Sequence, residues 1–522
     1  MTTDVVIVGA GPTGLTLGIE LARRGVGVRV VDASSGVTTQ TRALGVQART
    51  LELLRRVDLA EPAIDLGLTV TDFRVFSERH QILHLTLRDV DSPYPFLLML
   101  PQNQTEELLS TRLADAGVVV ERDVELVDLH QTVDAAHATL RHRDGTVEET
   151  SAAWVVGCDG ARSSVRRLLK IPFVGSTFEE NFAVADLRMD WALPNDELFA
   201  FLHRGDFIAF FPMADGLHRV ATAQGIGDTT SGEVTRAELE AAVERGAPSG
   251  SRIAEIREAG RFQINQRSVA RHAQGRVFLA GDAAHIHSVV GAQGMNTGIH
   301  DAFNLGWKLA AVIRGNAART LLDTYATERA PVARRLVRGT RRITRMTLLR
   351  NPVSTAARRT IASRVLGRPT VQRTLARALT QVDVSYRDST GAAHDDSVRA
   401  GDRAPDVGLT SDTSLFDVLD STFHTLLVVG NISGATGSAL RALVDASGYP
   451  TRVVHVLDAD GSSTSHADIV IRAPDPLRHR YDIDDHASLL IRPDGYIAWR
   501  GMPDDHVGLS QVLANNRENL ET

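Results

Sequence analysis

The chain has 522 residues, 43% hydrophobic and 23% charged, with a formal net charge of −7. These values are ordinary for soluble globular proteins and exclude a disordered or fibrous chain, while the length suits several domains. No apolar run reaches the roughly 18 residues of a membrane helix, the mild acidity does not suit general nucleic-acid binding, and the single cysteine, Cys158, excludes an internal disulfide framework.

Asp4 to Val8 reads as a short β-branched strand. Its acidic start and short apolar stretch do not make a signal peptide, so a cytoplasmic protein is expected. The turn Gly9-Ala10-Gly11-Pro12-Thr13-Gly14 follows, then helical apolar spacing from Leu15 to Arg24, a stop at Gly25, and a second strand from Val26 to Val31 that ends at Asp32. Strand, helix and strand in this order predict a βαβ unit and an α/β class. Gly9-x-Gly11-x-x-Gly14 allows a tight turn and lets the backbone approach a pyrophosphate at the helix start. Asp32 stands where a carboxylate accepts hydrogen bonds from a ribose hydroxyl, so the opening predicts a dinucleotide site.

Residues 170 to 275 read differently. Short alternating stretches, Phe199 to His203 and Phe207 to Phe211, predict an inserted antiparallel sheet. The α/β pattern returns with Arg276 to Ala280, a strand running into Gly281-Asp282, and helical periodicity extends from about Asn296 to Leu379. Thirteen arginines and no acid lie between Arg334 and Arg377. With no aromatic residue among them for base stacking, they read as a helical face beside an acidic neighbour in the same chain. That neighbour lies beyond a linker from Asp388 to Pro405, and from Gly401 onward the chain carries eighteen acids against nine arginines. Its predicted elements are a strand from Thr425 to Val429, a helix from Ser438 to Ala446, a strand from Arg452 to Leu457, and a hairpin turning at Arg492-Pro493-Asp494-Gly495.

Two further stretches, Gly157-Cys158-Asp159-Gly160-Ala161-Arg162-Ser163-Ser164 and Gly281-Asp282-Ala283-Ala284-His285, resemble the Asp-Gly and Gly-Asp fingerprints of the class A flavoprotein monooxygenases. These are single-component, FAD-dependent aromatic hydroxylases of the phenol, resorcinol and polyketide hydroxylase type. The match continues through Gly291-Ala292-Gln293-Gly294-Met295-Asn296-Thr297-Gly298 and Asp301-Ala302-Phe303-Asn304-Leu305-Gly306-Trp307-Lys308-Leu309. The resemblance implies a Rossmann-like FAD-binding domain (residues 1–170 and 276–387, with long helices). It also implies an inserted, mainly antiparallel substrate-binding sheet domain (171–275) and a thioredoxin-like C-terminal domain with its linker (388–522). For the cofactor it implies Gly9, Gly11, Pro12, Thr13 and Gly14 at the pyrophosphate, Asp32 at the ribose, Arg42 and Gln102 against the flavin, and a backbone group of Leu126 at the adenine. Asp159 and Asp282 would position the flavin and ribityl chain, and Gly291, Gln293, Gly294, Met295 and Asn296 would present N–H groups to the flavin pyrimidine. Ser288, Val289 and Val290 depart from the family, which usually carries prolines there.

The implied activity is hydroxylation of a small aromatic, phenolic or polyketide-like substrate by O₂ through a flavin hydroperoxide, with NAD(P)H as reductant and no nucleic-acid or membrane partner. Phe199, Phe201, Phe210 and Phe211 are the expected substrate-pocket residues. Alternatives on the same fold are a flavin oxidase or dehydrogenase, a Baeyer–Villiger enzyme, or a catalytically silent flavin-binding scaffold. His285 and His287 lack a third ligand, so no metal is expected, and Cys158 reads as a structural thiol. No catalytic base is assigned, the chemistry being carried by the flavin. The C-terminal domain lacks a Cys-x-x-Cys pair and cannot exchange disulfides. Its expected role is structural, with a homodimer interface as one candidate, and its removal is expected to leave the FAD site intact because every cofactor motif precedes Leu309.

Overall fold

The structure, a computed structural model, describes residues 3–38, 43–77, 80–177, 181–203, 206–224, 233–262, 265–287, 293–347, 364–387, 398–458, 466–472 and 475–515. Val5–Val8 is buried at every position, the pattern of a parallel strand covered on both faces. It lies inside a six-stranded sheet ordered Ala273–Gln274, Val277–Leu279, Trp154–Gly157, Val5–Val8, Val28–Val31 and Val120–Glu121, parallel except for the first strand. The first helix spans Pro12–Ala22 and starts ahead of the apolar periodicity, because a proline lacking an N–H is suited to the first helical position. It lies against the helix Gly294–Ile313, and small residues set that approach: a Cβ on Gly306 would come 2.7 Å from Glu20 Cβ.

The second sheet has seven strands, ordered Arg252–Phe262, Asn181–Asp190, His218–Gln224, Asp206–Pro212, Leu198–His203, Asp72–Ser77 and His80–Thr86. The last two come from before residue 100, and Asp72–Ser77 runs parallel to Leu198–His203. The two faces bury different sets. Phe199, Phe201 and Phe210 pack with Trp191 against Leu239 and Val243 of the helix Arg236–Gly246. Leu198 and Phe211, one residue out of phase, join the core of the dinucleotide domain. Of the four phenylalanines expected at a substrate pocket, strand alternation sends Phe199, Phe201 and Phe210 to the outer core and Phe211 alone to the inner face.

Beyond the long helix Asp323–Thr347, the C-terminal sheet is ordered Ile469–Arg472, Thr451–Leu457, His424–Val429, Ala487–Ile491 and Ile497–Gly501. The first three strands are parallel, with the helix Gly434–Ser447 joining two of them, and the last two form the expected hairpin. This βαβ–ββα arrangement is that of a thioredoxin-like layout. The hairpin turn is not on the surface. Arg492 donates to both carboxylate oxygens of Glu328 at 2.7 and 3.0 Å, and also pairs with Asp494. Lys308 donates to Glu328 at 2.9 Å, Trp307 to Asp494 at 3.2 Å, and Arg49 to the Asp494 carbonyl at 2.7 Å. Trp307, Ala317 and Leu321 share an apolar core with Leu426, Val428 and Leu490.

Among the described residues, Arg23 and Arg24 reach Ser421 of the C-terminal domain, Arg49 reaches Asp494, Arg55 Asp417 and Arg56 Pro493. They belong to the N-terminal helices; Arg335 of the basic run pairs with Asp383, and residues 348–363 of that run lie outside the described residues. Removing residues from 401 onward would strip the cover from Trp307 and Leu321 and take Arg492 from Glu328, so the expectation that the FAD site survives loss of the tail has to hold against these losses.

Two outcomes follow. Glu328→Gln leaves Lys308 and Arg492 buried without their carboxylate and should destabilise the fold by about 3–5 kcal/mol, read from urea unfolding. Burial alone holds His218 at about 4, and burial first also holds His272 at about 4 and His424 at about 3, below the ordinary value of 6.5. Each folded histidine stays neutral where the unfolded one is protonated, so their contribution is complete above pH 6.5 and is lost as pH falls towards 4. His218→Phe, at a ring whose nitrogens lack partners among the described residues, should reduce that acid sensitivity by about 1.4 kcal/mol per pH unit, measured as thermal stability against pH.

Candidate active site

The glycine turn divides into two steric requirements and one open position. Gly9 has φ +105°, and a Cβ there would lie 2.4 Å from the Cys158 carbonyl oxygen. A Cβ on Gly14 would meet the Gly9 carbonyl oxygen at 1.9 Å, so strand, turn and helix close only with glycine at both places. Around Gly11 nothing lies within 4 Å of a Cβ. That space adjoins the start of Pro12–Ala22, which has no side-chain cap and no acid in its first turn, leaving its positive end for an anion. Asp32 pins the turn from the second strand, accepting the Ala10 N–H at 2.5 Å and the Ser34 N–H at 2.7 Å.

Thr13 brings the second segment in. A Cβ on Gly281 or on Gly298 would lie 2.5 or 2.3 Å from Thr13 Oγ1, so the Gly281–Ala283 turn and the first coils of Gly294–Ile313 press on the glycine loop. Asp282 is exposed at this turn. Beneath it lies a group absent from the sequence-based site, Asp301, which is fully buried. It accepts the Gly281 N–H at 3.0 Å, His285 Nε2 at 2.7 Å and Arg329 Nε at 2.7 Å. Burial opposes its charge, but His285 and Arg329 outweigh burial and hold its carboxyl well below the usual range.

Asp159 caps the helix Ser164–Leu168, accepting the Ser164 and Val165 N–H groups at 2.6 and 3.1 Å through one oxygen. Its other oxygen is buried without a partner among the described residues, and burial raises its pKa. Asn296 bonds the backbone on the opposite side, accepting the Gln47 N–H at 2.9 Å and donating to the Gly45 carbonyl at 2.8 Å. Gln293 donates to the Ala378 carbonyl at 3.1 Å, and Met295 is partly buried against the main core. Gln102 donates to Glu106 at 2.8 Å and accepts the Ala43 N–H at 3.3 Å. Leu126 points its side chain into a separate core under Val124–Gln131, so any adenine contact there would use its backbone. Arg42, Gly291 and Ser288, Val289 and Val290 lie outside the described residues.

Gly9 to Gly14, Asp159, Gly281-Asp282 and the start of Gly294–Ile313 therefore converge, whereas Phe199, Phe201 and Phe210 stand on the outer side of the second sheet. Asp301 could have been suspected as an acid inside an apolar helical run. Arg329, distant in sequence, gave no local signal. Among the described residues no group of three His, Cys, Asp or Glu is placed to hold a metal, and no helix is long and apolar enough to cross a membrane. The open room at Gly11, the uncapped helix start and the orphaned Asp159 oxygen fit the diphosphate and hydroxyl groups of FAD.

Comparison with known proteins agrees with this geometry. Residues 2–340 match a family model described as an FAD binding domain, and residues 397–516 match one described as the C-terminal domain of aromatic-ring hydroxylases. The 6-methylpretetramide 4-monooxygenase of Streptomyces rimosus is 37% identical over 519 residues, covering 95% of this chain and 90% of that protein. Pentachlorophenol 4-monooxygenase of Sphingobium chlorophenolicum is 31% identical over 508 residues, covering 94% and 93%. Among solved structures, the anhydrotetracycline hydroxylase of Streptomyces rimosus superposes with a TM-score of 0.76 at 31% identity, covering 99% of both chains.

The contrast between the glycines is testable. Gly11→Val should fold with a stability close to the parent's, because nothing beyond the neighbouring residues lies within 4 Å of a Cβ there, yet lose FAD affinity by about 100-fold, ~2.7 kcal/mol. Gly14→Ala should lower the melting temperature of the apoprotein itself. Flavin titration and thermal unfolding of both variants separate the two effects.

Proposed function

Because the chain belongs to the FAD-dependent aromatic-ring monooxygenases, we propose that it hydroxylates a phenolic, polyketide-like aromatic held between the flavin and the inner face of the seven-stranded sheet, with NAD(P)H as electron donor. The observation that carries this reading is the composition of that face. Ala200, Ala209, Ala221, Val184 and Gly260 are paired in one unbroken row across five strands. The next row carries Leu198, Phe211, Arg219 and Asp186. Small residues make a flat floor, Phe211 gives it an aromatic edge, and the buried Arg219–Asp186 pair gives it polarity, with Arg219 also donating to the Ala43 carbonyl at 3.5 Å. A floor of this width suits fused rings better than a single ring. In this reading the two segments 1–170 and 276–387 bind FAD, 171–275 supplies most of the substrate sheet, and 388–522 braces the assembly.

FAD, when bound, supplies the activation of dioxygen and the transfer of one oxygen atom. The protein's own tasks are placement and exclusion of water. Gly11 and the start of Pro12–Ala22 receive the diphosphate, Asp32 the ribose and Asp282 the ribityl chain. Asp301 fixes the Gly281 N–H and the His285 ring behind them. The aligned N–H groups at the start of Gly294–Ile313 stabilise negative charge on the reduced ring. No other dinucleotide fingerprint accompanies the first, so the reductant visits the same face transiently.

The expected result is slow NAD(P)H oxidation by the enzyme alone, strong stimulation by a polycyclic phenol such as anhydrotetracycline, weaker stimulation by monocyclic phenols, and one atom of labelled O₂ in the product. Label found only in water or peroxide, together with a dehydrogenated product, would convert the reading to an oxidase.

A further inference from the structure

The charged groups behind the Gly281 turn do not end within the dinucleotide domain. Arg329 leaves the long helix Asp323–Thr347 fully buried and grips both sides of the site, donating through Nε to Asp301 and through Nη2 to the Thr297 carbonyl at 3.2 Å. Thr297 lies in the first turn of the helix whose start faces the flavin. The remaining Arg329 nitrogen, Nη1, donates to the Tyr386 hydroxyl at 3.2 Å. Tyr386 lies ahead of the linker, and its ring stacks on Tyr496 of the C-terminal hairpin with centroids 4.1 Å apart and planes 28° from parallel. Its backbone N–H donates to the Gly401 carbonyl at 2.7 Å, and the Gly401 N–H donates to Ile497 at 2.8 Å. Arg492 lies over the Tyr386 ring at 5.3 Å, and Arg49 over the Tyr496 ring at 5.0 Å.

We propose that Tyr386 is a positioning residue for the hydroxylation: it transmits the placement of the C-terminal hairpin, through Arg329 and Asp301, to the Gly281 turn and the first turn of the flavin-facing helix. The proposal rests on the assignment of the flavin to that turn. Its physical basis is geometric. A guanidinium is a rigid fork, so a hydroxyl that fixes one of its nitrogens also fixes the angle at which the other two meet Asp301 and Thr297. Asp301 in turn has no solvent to absorb a displacement and passes it to the Gly281 N–H and the His285 ring. Burial pushes the Tyr386 phenol far above its ordinary range, so it stays a neutral hydroxyl able to accept from the arginine. The C-terminal domain thus acts on the cofactor site without contributing an atom to it.

The test uses the full-length protein. Tyr386→Phe deletes one hydroxyl and keeps the stack on Tyr496. The expected result is an FAD dissociation constant raised about 3–10-fold, the loss of one buried hydrogen bond, with a shifted midpoint potential of the bound flavin and apoprotein urea unfolding close to the parent's. A double-mutant cycle of Tyr386→Phe with Arg329→Lys should be non-additive in FAD affinity, which a merely structural tyrosine would not produce. If Arg329→Lys does not fold, Tyr496→Leu supplies the second arm. An unchanged dissociation constant and potential in Tyr386→Phe, or an additive cycle, overturns the proposal. Wild-type FAD affinity in Asp282→Ala would overturn it differently, by removing the flavin from that turn while leaving the relay itself intact.

Discussion

One carboxylate without water organises the site. Asp301 is fully buried and is held by a main-chain N–H, a histidine and an arginine from three separate segments. A buried ion of this kind is a poor source of net stability, since its desolvation offsets most of what its partners return, but removing any partner leaves an uncompensated charge. The consequence is specificity of arrangement. The Gly281 turn, the His285 strand and the Asp323–Thr347 helix have one mutual placement in which the carboxylate is satisfied.

Around this point the packing depends on absent side chains. Gly9, Gly14, Gly281, Gly298 and Gly306 each bring backbone to within contact of another segment, and each would collide if it carried a Cβ. Two helices approach along Thr13, Leu17 and Glu20 because the opposing helix offers glycine at the matching turns. Gly11 alone of the fingerprint has room around it. The same three-glycine spacing therefore serves two purposes, closure of the fold at its ends and access for a ligand at its centre.

Much of this was legible in the sequence. The opening strand, the glycine turn and the acid at the second strand's end are local features, dictated by sterics over a few residues. The hairpin around Arg492 to Gly495 was legible for the same reason. What the sequence hid was long-range. Asp72–Ser77 completes a sheet whose other central strands lie more than a hundred residues on, and no local pattern announces that pairing. The phenylalanines are ambiguous in the sequence because both faces of their sheet are buried: alternation shows that Phe210 and Phe211 point in opposite directions without showing which core each one joins. Arg492 and Asp494 look like polar residues of an exposed turn, and only the assembled chain shows them sealed against Glu328 and Trp307.

The docking of that turn bears on the order in which the protein can be completed during synthesis. The strands of the first sheet are joined once residues near 280 have been made, yet Arg329 and Tyr386 follow them, and the hairpin Ala487–Gly501 that seats Tyr386 follows later still. Domains fold from the N-terminus as they emerge, so a growing chain holds its first sheet with the rear wall unbraced until the hairpin has been made. The back of the Gly281 turn is therefore closed only after the hairpin has left the ribosome and seated Tyr386.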